Sequence, residues 1–232
     1  MDIDNPVIKA VSSNVDAPGL EPEVAAKSLP AWYKDHPRYV PTGESSWRNC
    51  VPMFDAMTSG YVLLTPEDVT FEQGDKRINA RIDIGSPFIG FVSERDPMDT
   101  FKAPLGYDNN HYAWLPRWGF KLEPGYSALY TTPLNRFDLP FINASGIIDN
   151  DKMSTPGNMP FFMREGWTGV IPKGTPYAQI IPFKREEWEL KTQRSDTLDA
   201  RRQKKLGDRF RSVKSDYYRD KLWERKKYKK DE

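Results

Sequence analysis

The chain has 232 residues, 34 Lys/Arg against 33 Asp/Glu, and 38% hydrophobic and 13% aromatic residues. That is enough length and apolar content to bury a core and too much for a disordered chain. No run of about 18 apolar residues exists to span a bilayer, and the acidic start Met1-Asp2-Ile3-Asp4-Asn5-Pro6 is unlike a secretory signal.

Residues 1–60 read as an arm with short helices. Pro6, Pro18, Pro22 and Pro30 interrupt the first thirty residues, with a weak helical stretch near Glu21–Lys27. Pro30 leads a short helical turn through Trp32 and Tyr33. Val51, Phe54 and Met57 repeat at helical spacing, with Pro52 in the first turn and Gly60 as the stop.

Residues 61–190 read as a β domain. Short apolar runs fall at 61–64, 69–72, 78–84 and 88–92, each followed by Pro, Gly or Asp, and the same texture continues at 119–122, 126–131, 142–148, 161–163 and 177–183. Ile78–Ile84 alternates apolar and polar, as a half-buried strand does. Turns are expected at Glu123-Pro124-Gly125, Asp149-Asn150-Asp151 and Pro172-Lys173-Gly174. Nine or ten closely spaced strands predict a mainly β fold, a sandwich or barrel rather than βαβ units.

Residues 195–232 predict a long, basic, amphipathic C-terminal helix. Leu206, Phe210, Val213 and Tyr217 form a narrow apolar stripe that Leu222 and Trp223 extend, and Ser195–Leu198 offers caps. From Asp196 onward there are 14 Lys/Arg and 8 Asp/Glu, leaving 20 and 25 in the preceding part. A mildly acidic body thus carries a basic end suited to nucleic acid, an acidic partner or a neighbouring subunit. The stripe from Leu206 to Trp223 is the predicted interaction surface, and self-association is the expectation.

A single Cys50 excludes a disulfide framework and a multi-cysteine metal site and reads as a buried structural thiol. The two histidines, His36 and His111, make a His-rich metal centre a poor fit, and His111 reads as part of a polar turn. Neither a phosphate-loop nor a dinucleotide fingerprint is present. The stretch from His111 to Phe120 reads either as β-core aromatics or as a base-stacking platform beside Arg117. Asp149 and Asp151, two residues apart after a β run, read either as a carboxylate pair that orients water or holds Mg²⁺, or as an Asx turn.

Residues 119–185 hold, in order, Pro124-Gly125-Tyr126, Ser145-Gly146-Ile147-Ile148-Asp149-Asn150-Asp151, and Gly174-Thr175-Pro176-Tyr177-Ala178-Gln179. This order resembles the dUTP pyrophosphatase and dCTP deaminase superfamily. The resemblance implies a β-clip fold and a trimer, a water-orienting role for Asp149, a ligand role for Asp151, a structural or sugar-proximal position for Gln179, and Arg136 as the phosphate contact. Mg²⁺ would be the cofactor of that alternative. The chain departs from the family where its Arg-Ser-Gly motif is expected, at Thr131–Arg136, and where Lys152-Met153-Ser154 stands in place of Tyr-Arg-Gly. It also lacks the glycine-rich closing motif, and without these donors the developing phosphate charge has no cradle.

A wider resemblance runs from Arg48-Asn49-Cys50-Val51-Pro52 through Thr132-Pro133-Leu134-Asn135-Arg136 to Ala178-Gln179-Ile180-Ile181-Pro182-Phe183-Lys184-Arg185 and Lys221–Lys229. It is similar to an uncharacterised family of tailed phages and bacteria. That resemblance implies a phage-type source, and so host cytoplasm or virion, with no activity to carry over. The proline-rich arm and basic C-terminal helix suit contacts between subunits, so the expectation is a non-catalytic structural or assembly protein without a cofactor, meeting itself and other phage proteins and no membrane. A dUTPase-like nucleotide hydrolase, and nucleic-acid binding through 196–232, are the two alternatives.

Overall fold

The computed structural model describes residues 6–12, 14–96, 102–194, 196–211 and 217–231. The fold is mainly β, with fourteen strands among the described residues. In chain order these are β1 (Lys9–Ser12), β2 (Glu23–Val24), β3 (Tyr61–Leu64), β4 (Val69–Gln73), β5 (Ile78–Arg81), β6 (Val92–Arg95) and β7 (Tyr107–Trp114). There follow β8 (Trp118–Lys121), β9 (Tyr126–Thr131), β10 (Phe141–Asn143), β11 (Gly146–Ile148), β12 (Met159–Arg164), β13 (Gly169–Ile171) and β14 (Pro176–Lys184). The α-helices are α1 (Ala31–Lys34), α2 (Val51–Thr58) and α3 (Thr197–Arg211). Among the described residues no helix is long and apolar enough to cross a membrane.

All strand pairs are antiparallel and form four sheets: β11-β9-β14-β3-β2, β10-β12-β7-β6, β13-β4-β5 and β1-β8. Their inward faces share one core. Leu63, Ala128, Ala178 and Ile180 come from the five-stranded sheet, Tyr112, Trp114, Phe141, Phe161 and Met163 from the four-stranded one, and Val69, Phe71, Ile78 and Ile171 from the third. The Trp114 ring stacks on Phe161 at 4.0 Å and 11°. Burial leaves its indole N–H in need of an acceptor, which Asn143 Oδ1 supplies at 3.1 Å. Asn143 Nδ2 then donates to the Tyr177 carbonyl at 2.7 Å, tying two sheets together through one buried side chain.

A second, smaller cluster of Tyr33, Met53 and Met57 with Leu29, Trp32 and Phe54 holds α1 against α2. Pro30 caps α1 and Pro52 sits in the first turn of α2, as their spacing predicts. Gly60 ends α2 at φ +71°, and a Cβ there would run into the Ile180 carbonyl, so only glycine fits.

Several local expectations are corrected. Glu21–Lys27 gives β2 and a 3₁₀ turn, because Glu23 and Val24 pair with Val62 and Tyr61 at the sheet edge. Residues 142–148 form two strands in different sheets, broken at Ala144 and Ser145. Phe88–Phe91 is a turn whose two aromatics reach the core, and the strand begins at Val92. His111 lies in β7 and not in a turn, since Tyr112 and Trp114 commit this polar stretch to the core. Cys50 is exposed, because it precedes α2 at its surface end while Val51 and Met53 turn inward.

The C-terminal segment also differs from a continuous helix. Asp196 caps α3 by accepting from Asp199 N, at 2.8 Å. Helix α3 is described as far as Arg211, a single π-helical turn spans Tyr218–Leu222, and Trp223–Asp231 is non-helical and lies against the body. Trp223 and Tyr228 turn to the rings of Phe54 and Tyr61, which a continuing helix would carry past them. Of the predicted stripe, Val213 and the Phe210 side chain lie outside the described residues. Leu206 is half-buried and Tyr217 stacks under the Arg209 guanidinium.

Candidate functional site

β9 fixes the frame of the predicted site, pairing with β11 on one side and β14 on the other. β11 ends at Ile148, and the chain turns through Asp149-Asn150-Asp151 beside the start of β9. Lys152 N and Met153 N donate to the Asp149 carbonyl at 2.9 and 3.0 Å and close the turn. Asn150 is buried and donates from Nδ2 to the carbonyls of Phe120 and Met153, both at 3.2 Å, pinning the turn to β8.

The two carboxylates flank one guanidinium. Arg185, the residue after β14, donates from Nη1 to Asp151 Oδ1 at 3.0 Å and from Nη2 to Asp151 Oδ2. Its Nη1 also lies 3.2 Å from Asp149 Oδ1 and donates to the Tyr126 carbonyl and Ser127 Oγ. Ser127 Oγ donates to Asp149 at 2.7 Å, and Gly125 N donates to Asp151 at 2.9 Å. The Arg185 hydrogen bonds and then the Gly125 N–H hold the Asp151 carboxyl well below the usual carboxylate range, and the pair raises Arg185 further. Asp151 is therefore an ionised structural anchor, far from the pKa a general base needs near neutrality. A divalent cation between these carboxylates would sit against the guanidinium, so the donor set does not fit Mg²⁺. Among the described residues no group of three or more His, Cys, Asp or Glu side chains could hold a metal ion.

Arg136 and Gln179 lie at the other end of β9. Ser127 sits beside Asp149, whereas Thr131 pairs with Gln179, a separation of roughly 13 Å along the strand. Gln179 is buried, and its hydrogen bonds are taken inside the protein. Its Oε1 accepts from Leu134 N at 2.8 Å, and its Nε2 donates to the Ala56 and Ser59 carbonyls at 2.9 and 2.7 Å. These carbonyls belong to the last turn of α2, where helix acceptors lack intrahelical partners. Arg136 forms a bidentate pair with Asp138 and donates to the Ser28 carbonyl, while Trp32 Nε1 donates to the same aspartate. Asp149 and Asp151 thus meet at Arg185, whereas Arg136 and Gln179 lie in a second region, each satisfied by its own partners.

Sequence reasoning missed those partners, Arg185 and Asp138. The first is 34 positions from Asp151, and only the β9–β14 pairing brings them together. The aromatic stretch from His111 to Phe120 supplies core: Tyr112, Trp114 and Phe120 are fully buried and offer no stacking face. Burial, and then the charges of Arg95 and Arg77, lowers the His111 pKa.

A third cluster, unforeseen as such, joins the C-terminus to α2. Trp223 Nε1 donates to both Asp55 oxygens, at 3.2 and 2.9 Å, and Lys226 Nζ lies 3.0 Å from the same carboxylate. Tyr61 Oη donates to the Lys229 carbonyl at 3.0 Å, Tyr228 meets the Tyr61 ring edge-on, and Lys230 pairs with Glu21 at 2.8 Å. Comparison of the chain with protein-family models, curated proteins and solved structures gave no match.

Proposed function

We propose that this chain is a non-catalytic structural or assembly protein of tailed-phage type, working in host cytoplasm or virion through contacts between subunits. The observation that carries the reading is the segment after β14. Every described residue from Glu186 to Lys205 is exposed, including Trp188 at 87%, Leu190 at 89% and Leu198 at 65%. An exposed, largely charged arm that carries bulky apolar side chains clear of the body is expected of a surface that meets another protein. The closure of Asp149 and Asp151 on Arg185 supports the non-catalytic half of the proposal. The side-by-side order β11-β9-β14 supports a β-clip-like body, the fold implied by the resemblance of residues 119–185.

The test is the mass of the full chain by light scattering across concentration, with Trp188→Ser/Leu190→Ser beside it, and Mg²⁺-dependent hydrolysis of deoxynucleoside triphosphates on the same samples. A defined oligomer that the double variant weakens, without turnover, is the expected result. Turnover that Asp149→Asn abolishes at unchanged mass would overturn the reading in favour of a dUTPase-like enzyme.

A second reading, nucleic-acid binding through 196–232, is favoured by α3 itself. This exposed helix carries six Lys/Arg and two Asp. Duplex DNA binding with a steep salt dependence would be its sign.

A further inference from the structure

The chain leaves the body after Arg185, whose N–H and guanidinium are still held by it, and returns to it at Trp223. The gap is short. Tyr61, which receives Tyr228 and Lys229, pairs with Ile180, and Ile180 is four residues from Lys184 on β14, or roughly 13 Å; Asp55, which receives Trp223, precedes Tyr61 by six residues across the end of α2. Five to ten extended residues, on the order of 3.3 Å each, would close it. The chain instead spends 37 residues, Glu186 to Leu222, on the excursion. That excursion contains a 15-residue helix, about 22 Å long at 1.5 Å per residue. Its described residues from Glu186 to Lys205 are exposed, so a single body does not use them.

The end of the excursion is specific. Asp55 is largely sequestered, with its side chain 14% exposed, and takes an indole N–H and an ammonium from residues 223 and 226. Phe54 and Tyr61 present rings to Trp223 and Tyr228, and Glu21 takes Lys230. Basic tail and acidic docking face are complementary, matching the charge asymmetry of the chain as a whole.

We propose that Trp223–Asp231 docks on the α2–β3 face of a second copy of this chain, so that neighbouring subunits exchange C-terminal arms. The inference rests on the assembly reading above and names its contact. Identical docking residues serve either copy, which is what makes exchange of an end segment possible. The arm is long enough to cross to a neighbour, and it carries Trp188, Leu190 and Leu198 exposed along the crossing segment. Close to Asp55 the partner is recognised by its spacing: an indole donor, an ammonium three residues later, an aromatic two further on and a second ammonium two after that.

The test uses the native full-length chain. Equal amounts of ¹⁵N-labelled and unlabelled protein are unfolded together, refolded and treated with a zero-length carbodiimide, which couples Lys226 to Asp55 at their 3.0 Å separation. Mass spectrometry of the linked peptides reads which chain each half came from. With exchange, about half of the Lys226–Asp55 links are expected to join a labelled to an unlabelled chain. Links confined to one label overturn the exchange, and so does a sample with no Lys226–Asp55 link. Light scattering on the same refolded sample separates the two levels. An oligomer with only same-label links keeps the assembly reading and loses the exchanged arm; a monomer with same-label links loses both. As a second measurement, Asp55→Ala and Trp223→Ala/Lys226→Ala are mixed, since the first keeps a tail and the second keeps a docking face. Association of the mixture beyond either variant alone is expected, and its absence with both variants folded by circular dichroism counts against the exchange.

Discussion

A guanidinium held between two carboxylates answers their mutual repulsion, and with it the electrostatic reason for a cation to bind there. Arg185 does this for Asp149 and Asp151, so the acidic turn serves the junction of β9, β11 and β14. Because the folded pKa of Asp151 lies below its ordinary 3.8, its contribution to stability is present above that value. It is lost as pH falls through the lowered folded value. Asp151→Asn is therefore expected to lower Tm at neutral pH and to flatten the acid limb of the Tm–pH profile. The difference from the native chain should shrink below about pH 3, as followed by circular dichroism. An unchanged neutral Tm would show that the ion pair contributes nothing. The two acidic residues were legible in the sequence as a turn or a site. The choice between these depended on Arg185, which carries no local signal of its partner.

Elements whose alternation matches their burial were legible. The residue range of β9 agrees with its apolar run, and β14 extends its own run by one residue at each end. β7 was not legible, because Tyr107–His111 reads polar and its apolar end, Tyr112–Trp114, alone faces the core. β1 and β13 were missed for a similar reason. Both are short edge strands held by pairing to β8 and β4, and backbone hydrogen bonds leave little trace in side-chain pattern. Between elements, Gln179 links β14, the loop after β9 and the end of α2. Gln179→Ala leaves Leu134 N and the Ala56 and Ser59 carbonyls without that partner and opens a cavity. It is expected to cost about 2–4 kcal/mol, seen as a Tm lower by roughly 5–10 °C in a thermal melt. A loss under about 0.5 kcal/mol would mean that water replaces the side chain without penalty.

Across the whole molecule, stability is expected to divide after Arg185. The sheets share one core and α1 and α2 a smaller one, whereas the described residues from Glu186 to Lys205 are exposed and include several arginines and lysines. Brief trypsin digestion at native pH should cut within this arm first and leave a resistant fragment ending near Arg185, measured by intact mass. Early cleavage within β3–β14 would contradict that division. The sequence by itself determined the mainly β class, the proline-led helical start, the turns at Gly125, Asp149 and Gly174, and the contrast between an acidic body and a basic end. These follow from side-chain periodicity, backbone freedom and charge counts, all of which are local or additive. Only the tertiary structure decided that Arg185 closes the acidic turn, that Gln179 and Arg136 lie apart from it, and that Trp223–Asp231 leaves the helical path to bind Asp55 and Tyr61. Each of those is a pairing between residues tens to more than a hundred positions apart, chosen by strand register and ring packing, which no local pattern encodes.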